Sequence, residues 1–383
     1  MTPRFCGYAG AHVNAEGVSP SDRSALPLRR PTLSTQRPTL ADVAATAGVS
    51  VSTASLAFSG AGPIAEATRR RVLDAAAELD YSGPNPLGRQ LRRGRSGIVG
   101  VVLGDALRRS FRDPMTIQVL DGLVSTLAPL DQGVLLVPTS AEPTTPDPLV
   151  ESAAMDVAVV MDGVTSDHPV LAALHRRGVP TVLVEAEPAA DTAWVGIDDR
   201  AGTARLATHL RDLGHERIAC VTLPYRRERR AGLVPPDAPP PTGPITARRL
   251  AGLADAGVQP VAVYETAGSL VEHGASAGRA LLTMDPHPTA VVGQSDLLAA
   301  GVVLAARELG LRVPQDVSVA GFDGIDLPWL GPDSLTTVVQ PLADKGVAIA
   351  HAVEDMLADL PPTHRVLPVE LRIGSTTGPA AAS

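Results

Sequence analysis

The stretch "TLADVAATAGVSVSTASLAFSG", residues 39–60, decides how the rest of the chain is read. Asp42 is its only charged residue, and its apolar positions are spaced like two short helices around "AGVS". Leu40, Val43, Ala44 and Ala47 fall on one helical face. Thr39 with Asp42 makes a capping box in which Asp stands in for Glu. Gly48 supplies the C-terminal stop. Ser50 is placed to cap the second helix, "VSTASLAF". A third helix is expected in "AEATRRRVLDAAAELDY", with Val72, Leu73, Ala76 and Leu79 inward and Arg69, Arg70 and Arg71 in its first half. Three small helices of this kind are either a buried bundle or a device for reading DNA.

Charge favours the second reading. Residues 1–96 hold 12 Arg and 7 Asp/Glu, a balance of +5, inside a chain whose net charge is −8. An N-terminal module of opposite sign to the body suits a polyanion partner. The whole chain has 383 residues, too many for one core. Aromatic residues are only 3% of it, so its cores must be built from Ala, Val and Leu. The only lysine is Lys345. Cys6 and Cys220 stand alone, which implies a reducing compartment, no disulfide and no metal site. The first thirty residues lack the apolar core of a secretory leader, and no stretch is long and apolar enough to span a bilayer. A cytoplasmic protein with no membrane partner is expected. Residues 1–37 are rich in Pro, Ser, Gly and Arg and read as a disordered tail, and no Met falls between Met1 and Met115, so a start at Val13 or Val18 is conceivable.

Residues 83–97, "GPNPLGRQLRRGRSG", carry four Arg and no acid, and their prolines and glycines make a linker. From Gly97 the pattern changes to short Val-rich runs, "GIVGVVL", "GVLLVP", "VAVVM" and "PTVLVE", separated by helical stretches. That alternation is the signature of buried parallel strands in a doubly wound α/β domain. It begins again with "RIACVTL", "VAVYET", "TAVVG" and "VSVAGFD", which gives two lobes of similar design. Between Pro224 and Pro244 lies a Pro- and Arg-rich loop too long for a simple connection.

These residues resemble the lactose/galactose-repressor family of bacterial transcription regulators over about residues 38–378. The opening segment resembles its helix-turn-helix, and "ELDYSGPNPLGRQL" its hinge. "VGIDDRAGTARLATHLRDLGHERIACV" resembles a central signature, and "DVSVAGFDGID" with "LTTV" a late one. Four such blocks in order are a strong signal. The resemblance implies an α/β protein: a three-helix helix-turn-helix headpiece joined to a two-lobed domain like the periplasmic sugar-binding proteins. The expected division is a tail 1–37, a DNA-binding domain 38–83, a hinge 84–96 and an effector-binding domain 97–383. Within the last, crossovers near Gly214, Val339 and Leu360 give an N-lobe of about 97–214 and 340–360 and a C-lobe of about 215–339 and 361–383.

The resemblance also assigns roles. The second helix enters the major groove with Val51, Ser52 and Leu56 at base-reading positions, supported by Thr39, Ser50, Thr53 and Ser55. A small apolar face with a hydroxyl can contact thymine methyl groups and donate one hydrogen bond. The phosphate-facing charge then comes from Arg69 to Arg71 and from Arg89, Arg92, Arg93 and Arg95. Many members carry Arg where this chain has Leu56, so a guanine contact worth about 1–3 kcal/mol is missing. Ala65 replaces the usual hydroxyl cap of the third helix, a loss of about 1 kcal/mol. In the hinge, Asn85, Leu87 and Gly88 match the segment that orders on DNA, and Leu91 the leucine that wedges into the minor groove. For a sugar or related polyol effector between the lobes, the matching residues are Phe111, Asp113, Arg249, Ser295, Phe322 and Asp323, with carboxylate and guanidinium suited to ligand hydroxyls. His209, His215 and His273 are expected to be structural or surface residues. No nucleophile elbow, phosphate loop or metal-ligand spacing is present, so neither an enzyme nor a cofactor is expected. The expected protein is a ligand-responsive repressor, acting as a homodimer on double-stranded operator DNA; the alternative is a solute-binding protein of a transport system.

Overall fold

The computed structural model describes residues 38–60, 62–83, 94–104, 107–139, 147–161, 163–226 and 229–381. The tail 1–37 and the hinge residues Asn85, Leu87, Gly88 and Leu91 lie outside them, as do Arg89, Arg92 and Arg93. The chain divides into two compact units near Asn85.

The first unit holds α1 (Leu40–Thr46), α2 (Val51–Ser59) and α3 (Glu66–Glu78). The capping box at Thr39 is formed in both directions: the Thr39 amide donates to the Asp42 carboxylate at 2.8 Å, and the Asp42 amide to the Thr39 hydroxyl at 3.4 Å. These bonds hold the Asp42 carboxyl below its usual range. Gly48 takes the left-handed backbone, φ +62°, that releases the chain from α1. Ser50 caps α2 by accepting from the Thr53 amide. Ala65 starts α3 with no side-chain cap. The core is Val43, Ala44, Ala47, Ala54, Ala57, Val72, Ala75 and Ala76. Leu73 departs from expectation: it is exposed, because about 100° per residue carries 72, 75, 76 and 79 to one side and leaves 73 off it. Phe58 and Tyr81 close the bundle edge-to-face, ring centres 5.7 Å apart.

The second unit has two sheets. In the N-lobe, β1 (Ile98–Leu103), β2 (Gly133–Pro138), β3 (Val157–Val160), β4 (Thr181–Val184), β5 (Thr192–Ile197) and β12 (His364–Leu367) lie in the order β12-β5-β4-β3-β1-β2, all parallel. The C-lobe has β6 (Ile218–Thr222), β7 (Gly232–Leu233), β8 (Val263–Glu265), β9 (Ala290–Gly293), β10 (Ser318–Asp323), β11 (Thr336–Val339) and β13 (Glu370–Arg372). Their order is β13-β11-β10-β9-β6-β8-β7, with antiparallel pairing only at the two edges. β1 to β5 in the N-lobe, and β6 with β8 to β11 in the C-lobe, repeat the order 2-1-3-4-5, a doubly wound sheet with its switch point beside the first strand.

The helices are α4 (Leu107–Ser110), α5 (Pro114–Leu127), α6 (Pro148–Ser152), α7 (Pro169–Arg176), α8 (Asp199–Asp212), α9 (Pro244–Asp255), α10 (Val271–Leu282), α11 (Asp296–Glu308) and α12 (Leu342–Leu357). Small residues let them approach closely. A Cβ at Gly301 of α11 would strike the Val271 carbonyl and the Ala275 amide of α10.

Two expected crossovers move. α8 packs against α9, β11 and β13, so the chain enters the C-lobe right after Ile197 rather than near Gly214. The apolar face of α8, Leu206, Ala207 and Leu210, belongs to the C-lobe core with Ile218 and Leu253. After α12 the chain stays in the N-lobe past Leu360, because β12 pairs with β5 as an edge strand before β13 joins the other sheet. β12 escaped notice because it is partly exposed and reads "HRVL", with no apolar run. Among the described residues no single helix is long and apolar enough to cross a membrane.

Candidate DNA-reading face and effector site

On α2, Val51, Ser52 and Leu56 are exposed and Thr53 and Ser55 half-buried, while Ala54 and Ala57 turn into the core. At about 100° per residue, positions 51, 52, 55 and 56 span roughly 140° of the outward face. The Ser50 hydroxyl lies 2.8 Å from the Ser52 and Thr53 hydroxyls, which ties the start of the helix into one polar cluster. The Leu56 side chain leans on Gly62, whose missing Cβ would approach it to 3.3 Å. Arg70 and Arg71 are exposed on α3, and Arg69 is half-buried. Arg95 is engaged in its own unit, donating to the Leu357 carbonyl at 2.6 Å and lying 3.7 Å from Asp359. That contact is at the C-terminus of α12, where a cation meets the negative end of the helix dipole.

A cavity of about 230 Å³ lies between the lobes of the second unit, beyond the carboxyl ends of β1, β3, β6 and β8. The N-lobe contributes Arg109, Asp113, Thr116, Thr165 and His168; the C-lobe contributes Arg226, Arg229, Thr246 and Ser269. Asp113 caps α5 by accepting from the Met115 amide at 3.0 Å. His168 caps α7, its Nδ1 accepting from the Val170 amide. Arginines cross the cleft. Arg109 donates to the Ala267 carbonyl at 2.9 Å, Arg229 to the Gly104 carbonyl at 2.7 Å, and Arg112 pairs with Glu272 at 2.7 Å.

Of the six expected effector residues, only Asp113 lines this cavity. Phe111 is 56% exposed and outside the lining, in the turn that follows the end of α4 at Ser110. Arg249, Ser295, Phe322 and Asp323 are each buried to within a few per cent. They are brought together, but deeper. The Arg249 guanidinium stacks 3.6 Å from the centre of the Phe322 ring, bonds Asp199 at 2.8 Å, donates to the Gln294 carbonyl and lies 3.9 Å from Asp323. Asp323 accepts from Gln340 at 2.7 Å, and Lys345 donates to both Gln340 and Glu185. Arg248 reaches across the lobes, from Asp199 at 2.9 Å to the Glu185 carbonyl at 2.7 Å. Ser295 caps α11 and accepts from Ser269 at 2.9 Å, which joins the cavity wall to this interior.

Burial pushes the Asp323 carboxyl well above its usual range, against the attraction of Arg249 and with added repulsion from Asp296 and Asp113. Glu185 is held low, Lys345 and the two arginines overcoming its burial. Both residues have positive φ, +127° at Asp323 and +54° at Glu185, so two carboxylates of the network sit on strained backbone. Asp296, bonded to Thr337 and to the Gly324 and Ile325 amides, is raised to about 6 by burial. Glu185, Asp199, Arg248, Gln340 and Lys345 were not anticipated. The one signal for them was the single lysine of a chain that otherwise uses Arg, set in a helix between the apolar positions Leu342 and Ile349.

Residues 39–85 match the model of the bacterial regulatory proteins of the lacI family, and residues 207–377 that of a periplasmic binding protein-like domain. An HTH-type transcriptional regulator of Mycobacterium tuberculosis is 34% identical over 341 residues, covering 85% of this chain and 93% of the relative. The chain belongs to the lacI family of transcription regulators. As a lacI-family member it is a DNA-binding regulator, and its relatives are regulators rather than enzymes. The solved lac repressor dimer, bound to operator and an anti-inducer, superposes with a TM-score of 0.71 at 24% identity, covering 90% of this chain and all of that one. The regulator CelR in complex with cellobiose superposes with a TM-score of 0.59 at 25% identity, covering 89% and 100%. The helix-turn-helix match removes the solute-binding alternative.

Proposed function

We propose that this regulator is a cytoplasmic, homodimeric repressor whose hold on operator DNA is set by a small hydroxyl-rich effector in the interlobe cleft. The observation that carries the reading is the cleft itself: a cavity at the switch points of two matched sheets, spanned by hydrogen bonds from each lobe to the other. A ligand there changes the free energy of closure, and whatever closure does to the hinge then couples the two sites. Likeness to the operator-bound lac repressor dimer supports the dimer and the DNA, and likeness to the cellobiose complex supports a sugar-like effector. In this reading Val51, Ser52 and Leu56 face base edges, Thr39, Ser50, Thr53 and Ser55 the backbone beside them, and Leu91 the minor groove with Asn85, Leu87 and Gly88. Asp113 meets the effector directly, while Arg249, Ser295, Phe322 and Asp323 hold the wall behind it. A gel shift on the promoter neighbouring the gene, with and without a panel of sugars, polyols and their phosphate esters, tests this. A retarded complex that some member of the panel releases or strengthens is expected. Absence of a complex, or one that responds to nothing in the panel, overturns the reading.

A further inference from the structure

Three arginines and one carboxylate line the cleft among its described residues. We infer that its effector is an anionic polyol, a small sugar or polyol carrying a phosphate monoester. The inference rests on the cleft being the effector site, and it goes beyond that reading by naming the chemistry.

Arg109, Arg226 and Arg229 line the cavity from both lobes, with Asp113 the one carboxylate among the described lining residues. Arg112, beside Asp113, is paired with Glu272 and adds no net charge. Glu265 lies behind the C-lobe wall, where it accepts from the Tyr225 and Arg226 amides. Three lining arginines set against Asp113 and Glu265 still leave a positive excess. The contrast with the surroundings is large, because residues 97–383 carry 21 basic and 34 acidic residues. A basic cleft in an acidic body focuses anions toward itself.

The backbone adds to this. α5, α7 and α9 begin at the cavity, at Asp113, His168 and Gly243. Asp113 and His168 spend their side chains on the first two helix ends, whereas Gly243 leaves α9 with no side-chain cap. The convergence of helix ends comes with any doubly wound sheet, but the arginines are this chain's own. Guanidinium forks suit a phosphate, and bidentate pairing gives direction as well as attraction. Thr116, Thr165, Thr246 and Ser269 supply neutral oxygens for hydroxyl groups. A cavity near 230 Å³ is below the range of about 300–1,000 Å³ for drug-sized ligands, which favours a ligand of monosaccharide size.

Calorimetric titration of the full chain tests the inference with matched probes: glucose, mannitol and myo-inositol, their phosphate monoesters, and inorganic phosphate alone. At least one phosphate ester is expected to bind ten- to a hundredfold more tightly than its neutral partner and than inorganic phosphate, with affinity falling as salt rises. Arg226→Gln should weaken that ester at least tenfold, while Arg226→Lys should restore part of it. Neutral compounds binding as well as their esters, esters untouched by Arg226→Gln, inorganic phosphate binding as well as any ester, or no binding by any probe would each overturn the anionic-polyol assignment. A neutral sugar that binds and releases operator would do so while leaving the effector-controlled repressor intact. Failure of operator binding itself marks the loss of the broader reading.

Discussion

Replacing Lys345 by methionine should destabilise the second unit by about 3 kcal/mol at pH 7.5, at the low end of the 3–5 kcal/mol that accompanies breaking a buried ion pair by removing one partner. The Lys345 and Glu185 side chains are only 1% and 7% exposed, so water cannot replace the lost ammonium. The loss sits at the low end because Arg248 and Arg249 also attract the Glu185 carboxylate. Removing both charges, Lys345→Met with Glu185→Gln, should recover most of the loss, since no uncompensated charge is left buried. The pH dependence has a definite sign. In the wild type the Glu185 carboxyl is held low, so its contribution is present above its ordinary value of 4.5 and fades as pH falls through its folded value. Without Lys345, burial pushes it up, and the variant loses stability as pH rises instead. The gap between the two proteins should therefore widen from pH 5 to pH 8. Both tryptophans, Trp194 and Trp329, lie in the second unit, so urea unfolding followed by tryptophan fluorescence reads that unit alone. A single variant within about 0.5 kcal/mol of wild type, the scale of an ordinary surface change, would refute the reasoning. So would a double variant no better than the single, or a gap independent of pH.

Other outcomes follow from the headpiece and the helix packing. Leu56→Arg should redirect operator choice toward guanine at one symmetric half-site position, with about 1–3 kcal/mol of discrimination; selection on randomised half-sites that yields an unchanged motif would remove Leu56 from the groove. Arg71→Ala should reduce the slope of log affinity against log salt by about 0.9 for each phosphate left without its neutralising arginine, whereas Arg95→Ala, whose guanidinium already serves the end of α12, should leave the slope alone. Ala65→Ser supplies the missing cap of α3 and should stabilise the headpiece by about 1 kcal/mol, read as slower amide exchange in that helix. Gly301→Ala forces α10 and α11 apart and should cost about 1–3 kcal/mol in the same fluorescence assay; a neutral result would mean the two helices do not meet at that glycine.

What the sequence determined by itself was the caps and turns set by near neighbours, although periodicity alone put Leu73 on the wrong side of its helix. The capping box at Thr39, the turn at Gly48, the cap at Ser50 and the bare start at Ala65 are decided within three or four residues, and each stands where the pattern put it. The Val-rich runs marked the buried parallel strands for the same reason, since a strand covered on both faces needs apolar residues at every position. Tertiary structure decided what depends on the partner across the fold. α8 could have packed on either lobe, and only its packing against α9, β11 and β13 assigns it. β12 is a strand because β5 offers it an edge. Asp323 and Arg249 were visible as ligand-type residues, but their withdrawal into a network with Glu185, Gln340 and Lys345 depends on groups up to 160 residues apart. A buried charge is stable only beside its counter-charge, and no periodicity in a single chain records which distant residue supplies it.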